Sequence, residues 1–119
     1  MDLSYPKSVS VVIPAYNEED SIYEVVCNTC EHLPAYFDDY EVIVVNDGST
    51  DQTQKILDQL VDELDGLRII QQSNCGFGRA MVTGILAASK EFTAYLPADG
   101  QFLVPDMRHC FELLEGSDL

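Results

Sequence analysis

Two apolar runs set the frame of this chain. One covers residues 9–13, Val9-Ser10-Val11-Val12-Ile13, and the other residues 41–46, centred on Val42-Ile43-Val44-Val45. Both are short, rich in β-branched side chains and closed by turn-forming residues, which predicts buried strands. Weaker strands are predicted at residues 67–71 and 92–96. Helical periods fill the gaps. Over residues 19–33, Ile22, Val25, Val26, Thr29, Cys30 and Leu33 share one face until Pro34 stops the helix. A second helix is expected over about residues 51–64, on the stripe Ile56, Leu57, Leu60 and Leu64. Ser49, Thr50 or Asp51 would cap it and Gly66 would close it. A third, over residues 78–89, is rich in small residues; Gly84 and Ala88 permit close packing on a sheet. A fourth spans roughly residues 104–114. Strands alternating with helices through short loops imply an α/β fold, with a mostly parallel sheet, right-handed crossovers and helices on both faces.

Composition narrows the classes. A chain of 119 residues with 46 % hydrophobic content reads as one globular domain, residues 1–119, with no internal repeat or linker. No apolar run approaches the roughly 18 residues of a membrane span, and no signal peptide is visible at the N-terminus. The expectation is a cytoplasmic protein, or one at the cytosolic face of a membrane in its full-length form. The net charge of −15 argues against nucleic acid and anionic membrane surfaces as direct partners of this segment. The same charge means that an anionic ligand needs a metal or local donors. Solubility or a high-salt habitat is the plain reading of the acid surplus. Of four cysteines, Cys27 and Cys30 form a C-x-x-C inside a helical pattern rather than at a helix start, while Cys75 and Cys110 stand alone. Buried small hydrophobes describe them better than a redox or zinc site.

The chemistry gathers where strands end, the edge at which open α/β sheets bind ligands. After the first strand, Pro14-Ala15-Tyr16-Asn17-Glu18 offers an aromatic face and a carboxylate; after the second, Asp47 precedes Gly48 and Ser49. A ring that stacks on a base and carboxylates that accept from a base or ribose suit a nucleoside. After the third, Asn74-Cys75-Gly76-Phe77-Gly78-Arg79-Ala80 is a glycine loop opening a helix, whose N–H groups and Arg79 suit phosphate. After the fourth, Pro97-Ala98-Asp99-Gly100-Gln101 sets two oxygen donors, Asp99 and Gln101, two residues apart, which suits Mg²⁺ or Mn²⁺ on a diphosphate.

These four segments, V-V-I-P-A-Y-N-E, V-V-N-D-G-S-T-D, N-C-G-F-G-R-A and P-A-D-G-Q, in this order, resemble the nucleotide-binding half of family 2 glycosyltransferases of GT-A fold. The D-G-Q-F wording is similar to the dolichyl- and polyprenyl-phosphate sugar transferases among them. The resemblance runs from about Val9 to the C-terminus. It implies that Pro14, Ala15, Tyr16 and Glu18 line a nucleotide pocket, that Val45 packs on the base and that Asp47 binds the base or ribose. With the loop residues Gly78 and Arg79, it places Pro97, Ala98 and Asp99 on the donor, where the family's D-x-D motif lies, and Asp99 and Gln101 on a Mg²⁺ or Mn²⁺ ion. Pro97 departs from the family, which usually has its first Asp there, and a proline supplies no side-chain oxygen. The implied reaction is inverting transfer from a UDP- or GDP-sugar to a lipid phosphate or a glycan. Family members run on about as far again, which implies that this chain is the donor-binding fragment, inactive alone, with no assignable catalytic base and a sheet edge open to self-association.

Each feature has a plainer meaning. Tyr16 and Tyr23 read equally as rim aromatics, Asp47 and Asp51 as turn and cap acids, and Gly76 and Gly78 as turn residues. It is their joint placement at four strand ends that favours a nucleotide site. A phosphoacceptor receiver domain is the poorer fit, because its acceptor Asp would follow the third strand, where Gln71-Gln72-Ser73 stand. A non-catalytic nucleotide-binding or assembly module remains the alternative.

Overall fold

A computed structural model describes residues 8–107. Its elements are β1 Ser8–Ala15, α1 Ile22–His32, β2 Asp39–Asp47, α2 Thr53–Glu63, β3 Leu67–Gln72, α3 Phe77–Ala87 and β4 Phe92–Tyr95, with short 3-10 turns at Leu33–Ala35 and Val104–Met107. All strand pairs are parallel and the order is β3-β2-β1-β4. The chain steps outward from β1 to β3, then crosses back through α3 to lay β4 on the other side of β1. Strand order therefore reverses at β1, the position beside which open α/β sheets hold ligands.

Strand alternation divides the core in two. Val9, Val11, Ile13 and Ala15 of β1, with Val42 and Val44 of β2, join Ile22, Val25, Val26, Leu57 and Leu60 of α1 and α2 in the larger cluster. The opposite sheet face packs Ile43 and Val45 beneath Ala80 of α3. Asp47 falls on that same face, two residues on from Val45. The β2 register alone therefore sends its carboxylate toward the N-terminus of α3.

Among polar residues, Glu41 is 6 % exposed yet charged. Its Oε2 accepts from Ser10 Oγ at 2.6 Å and from Ser89 N and Oγ at 2.7 and 2.9 Å, and its Oε1 accepts from Arg68 Nη1 at 2.9 Å. Burial disfavours its charge, but these donors outweigh burial and bring its pKa down to about 2. The cluster ties β1, β2, β3 and the α3–β4 turn together at the sheet end remote from the motifs.

Element order matches the expectation, and the boundaries differ for identifiable reasons. The first helix starts at Ile22 rather than residue 19, after a turn in which the Ser21 and Ile22 N–H groups both donate to the Glu18 carbonyl, while the N–H groups of Asn17, Glu18 and Glu19 go to the side chains of Ser49, Thr53 and Asp51. Pro34 sits within the 3-10 turn that follows α1. The third helix stops at Ala87 rather than residue 89, because the Ser89 N–H goes to Glu41. The expected helix over residues 104–114 begins as a 3-10 turn, and its remainder lies outside the described residues. No helix among the described residues is long and apolar enough to cross a membrane.

Candidate functional site

The C-terminal ends of β1 and β2, the loop after β3 and the first turn of α3 enclose a cleft of about 340 Å³. It is lined by Pro14, Ala15, Tyr16, Glu18, Asp47, Asn74, Gly76, Phe77 and Ala80. Two aromatic rings stand at its mouth: Tyr16 is 47 % exposed and Phe77 60 %. Phe77 also meets Tyr95 edge to face, with centroids 5.7 Å apart. Two carboxylates, of Glu18 and Asp47, complete the polar lining.

Asp47 organises this end of the sheet. Its Oδ1 accepts from Gln72 Nε2 and from the Cys75 N–H, and its Oδ2 from the Gly76 N–H, each at 2.9 Å. The residue is 3 % exposed. Burial works against its charge, but the three donors prevail and hold the carboxyl below the ordinary range. A carboxylate offers about four lone-pair sites, so one more donor can be accepted on the cleft side. The turn after it is equally constrained. Gly48 has φ +75°, and a Cβ there would lie 2.6 Å from the Asn74 backbone nitrogen, so only glycine lets the two loops meet.

The β1–α1 loop is held from the side. Asn17 N donates to Ser49 Oγ at 2.9 Å, Glu18 N to Thr53 Oγ1 at 2.9 Å and Glu19 N to Asp51 Oδ2 at 3.3 Å. Asn17, in the left-handed region at φ 52°, accepts the Thr50 N–H on its Oδ1 at 2.8 Å. The Ser21 hydroxyl faces Glu18 Oε2 at 3.3 Å and the Ala98 carbonyl at 2.7 Å, which joins the cleft lip to the loop after β4.

In that loop Ala98 is buried, Pro97 half-buried, and Asp99 and Gln101 exposed. Asp99 Oδ1 accepts the Gln101 N–H at 3.0 Å across Gly100, whose φ is +81°. Burial first, and then the charge of Asp99, push the Tyr95 phenol up. No group of three His, Cys, Asp or Glu side chains among the described residues could hold a metal ion. Cys30 lies in the core, where burial and then Cys27 raise its thiol to about 11, and Cys27 packs against the same cluster. Both therefore sit as protonated, apolar side chains.

Of the residues singled out from the sequence, Pro14, Ala15, Tyr16, Glu18 and Asp47 meet in the cleft. Val45 does not reach it. It is fully buried under Ala80, one layer below the lining, and has no surface to offer a base. Gly78 and Arg79 are exposed on the first turn of α3, and neither lines the cleft, nor do Pro97, Ala98, Asp99 and Gln101. Asn74, Gly76, Phe77 and Ala80 line it, although the sequence placed them only in a loop suited to phosphate. A large aromatic directly after a glycine at a helix start was the available signal for Phe77.

Comparison with known proteins follows the same lines. The family model described as glycosyl transferase family 2 matches residues 10–118. The chain is 40 % identical over 110 residues to glycosyltransferase AglD of Haloferax volcanii, covering 90 % of this chain and 17 % of that one. It is 33 % identical over 118 residues to dolichyl-phosphate beta-glucosyltransferase ALG5A of Trichomonas vaginalis, covering 92 % and 35 %. Among solved structures it resembles the mannosyltransferase PcManGT of Pyrobaculum calidifontis in complex with GDP-Man and Mn²⁺. The TM-score is 0.78 at 27 % identity, over 96 % of this chain and 33 % of that one. The chain thus spans 17–35 % of the length of these proteins, and its fold is the α/β arrangement of GT-A enzymes.

Proposed function

The chain belongs to glycosyl transferase family 2, and we propose that its cleft binds the nucleoside diphosphate of a sugar donor in a transferase that inverts the sugar's anomeric centre. The observation that carries this reading is the convergence of Tyr16, Phe77, Glu18 and Asp47 on one cleft at the C-terminal sheet edge. Tyr16 and Phe77 offer ring faces for the base, and Asp47 accepts a base N–H or a ribose hydroxyl on its remaining lone pair. The exposed first turn of α3, with Gly78 and Arg79, supplies N–H groups and positive charge for phosphate.

Asp99 and Gln101 are the residues that would hold a divalent cation. Both are oxygen donors on an exposed turn, and a hard cation that keeps waters and shares a diphosphate needs only one or two protein carboxylates. Bound there, Mg²⁺ or Mn²⁺ supplies positive charge against the leaving diphosphate. The UDP- or GDP-sugar alternative rests on the nucleoside chemistry of the cleft. A polyprenyl or dolichyl phosphate acceptor is suggested by the name of the Trichomonas relative. Such an acceptor is already an oxyanion near neutral pH and does not require a strong general base; a glycan hydroxyl does.

Pro97 favours a second reading, nucleotide binding without transfer, because it removes one oxygen from the cation's surroundings. Calorimetric titration with UDP, GDP and their sugars, with and without Mn²⁺, tests the first. Binding of one nucleotide that Mn²⁺ strengthens, and that Asp99→Ala renders indifferent to Mn²⁺, is expected. A folded chain that binds none of them would overturn it. Binding without transfer in the full-length protein would favour the second reading.

A further inference from the structure

The sequence over Glu18-Glu19-Asp20-Ser21 favours a helix start: acids suit the N-terminal end of the helix dipole, and the apolar period of α1 begins at once. The chain nonetheless stays non-helical until Ile22. Ahead of it three consecutive backbone N–H groups, of Asn17, Glu18 and Glu19, donate to the side chains of Ser49, Thr53 and Asp51, in the β2–α2 loop and the first residue of α2. The central acceptor, Thr53, is fully buried. Its hydroxyl takes the Glu18 N–H and in turn bonds to Asp51, whose Oδ1 accepts the Thr53 N–H at 2.9 Å and whose Oδ2 accepts the Glu19 N–H. Neither residue lines the cleft, but Tyr16 and Glu18, which flank and occupy the pinned segment, do.

We infer that Thr53 and Asp51 are positioning residues that set the nucleotide cleft, pinning the β1–α1 loop so that Tyr16 and Glu18 face the ligand. The inference rests on the nucleotide reading above. Without the Thr53 hydroxyl the Glu18 N–H loses its acceptor and the loop loses the central, buried one of its three ties, so Tyr16 and Glu18 are no longer held at the cleft.

The test uses the 119-residue chain with Thr53→Val, which keeps the shape and removes the hydroxyl, and Thr53→Ser, which restores it. Asp51→Asn is the second variant, in which an NH₂ replaces the acceptor facing the Glu19 N–H. Affinity for whichever of UDP and GDP the wild type binds is read alongside hydrogen exchange of the Glu18 and Glu19 amides in the free chain. Thr53→Val and Asp51→Asn should each weaken binding roughly tenfold, the order expected for one buried hydrogen bond. Exchange at the affected amide should accelerate, while Thr53→Ser stays within about twofold of wild type in affinity. Equal binding by Thr53→Val and wild type would overturn the inference. So would Thr53→Ser behaving like Thr53→Val, which would assign the effect to packing rather than to the hydroxyl. A wild-type chain that binds neither nucleotide would overturn the underlying reading and this inference together, a result distinct from the other two.

Discussion

Gly84→Ala sets two known effects against each other. Gly84 is in the middle of α3 where that helix crosses β1. A methyl there would lie 2.2 Å from Val12 Cγ1, 3.2 Å from its Cγ2 and 3.3 Å from its Cβ. Replacing glycine by alanine within a helix normally stabilises by about 1 kcal/mol. The overlap with Val12 opposes this: non-bonded carbons rest at about 3.5–4 Å, so more than ~1 Å of movement is needed. Val12 is fully buried in an inner strand and, being β-branched, has few alternative rotamers. Since even its Cβ is close, a rotamer change does not clear the site, and α3 must lift. Overpacking of this kind costs about 1–3 kcal/mol, and an overlap this deep belongs at the upper end, so the net result should be destabilisation by about 2 kcal/mol. Equilibrium urea unfolding measures it. The double-mutant cycle with Val12→Ala isolates the cause, because removing both Cγ atoms should make Gly84→Ala neutral or stabilising. A Gly84→Ala chain as stable as wild type, or a cycle that is merely additive, would refute the reasoning. Because α3 carries Ala80 and Phe77 into the cleft, nucleotide affinity should fall with stability and recover in the double mutant.

Asp47→Asn should cost about 2 kcal/mol, because whichever way the amide turns, its NH₂ faces at least one of the three donors that the carboxylate accepts. Hydrogen exchange at Cys75 and Gly76 should accelerate locally, and unchanged exchange at both would count against the anchoring role. Glu41 makes a pH-dependent contribution. Its folded pKa of about 2 lies below the ordinary 4.5, so its stabilisation is fully present above pH 4.5 and disappears as pH falls through about 2. The difference corresponds to about 3 kcal/mol at neutral pH. Urea unfolding of wild type and Glu41→Gln should therefore differ by about that much at pH 7 and converge in acid; a gap that does not shrink with acidification would be incompatible with it.

Much of the fold was legible because local and global preferences agree. The runs at Val9-Ser10-Val11-Val12-Ile13 and Val42-Ile43-Val44-Val45 are inner strands, and the stripe Leu57 and Leu60 is the buried face of α2. Where they disagree, long-range bonds decide. Residues 19–21 read as helix yet form a turn, beside which the Glu18 and Glu19 N–H groups go to the side chains of Thr53 and Asp51 on another element. The same holds for the site. Strand ends reveal that Tyr16, Glu18 and Asp47 are near one another, since parallel strands deliver their C-termini to one edge. They do not reveal that Asp47 holds Cys75 and Gly76, nor that this turns Phe77 into the cleft. Val45 and Asp47 share a sheet face by alternation, yet one is covered by Ala80 and the other borders open space. That distinction depends on where α3 begins, which no local pattern states.

The central claim, that the nucleoside sits in the cleft between β1, β2 and α3, is tested most directly by mapping amide chemical-shift changes while UDP or GDP is titrated with Mg²⁺. The account predicts that the largest changes fall on Tyr16, Asn17, Glu18, Asp47, Gly76 and Phe77, with Ser10, Glu41 and Ser89 at the opposite sheet end unmoved. Saturable changes centred on that opposite end, or on none of the cleft residues, would contradict it.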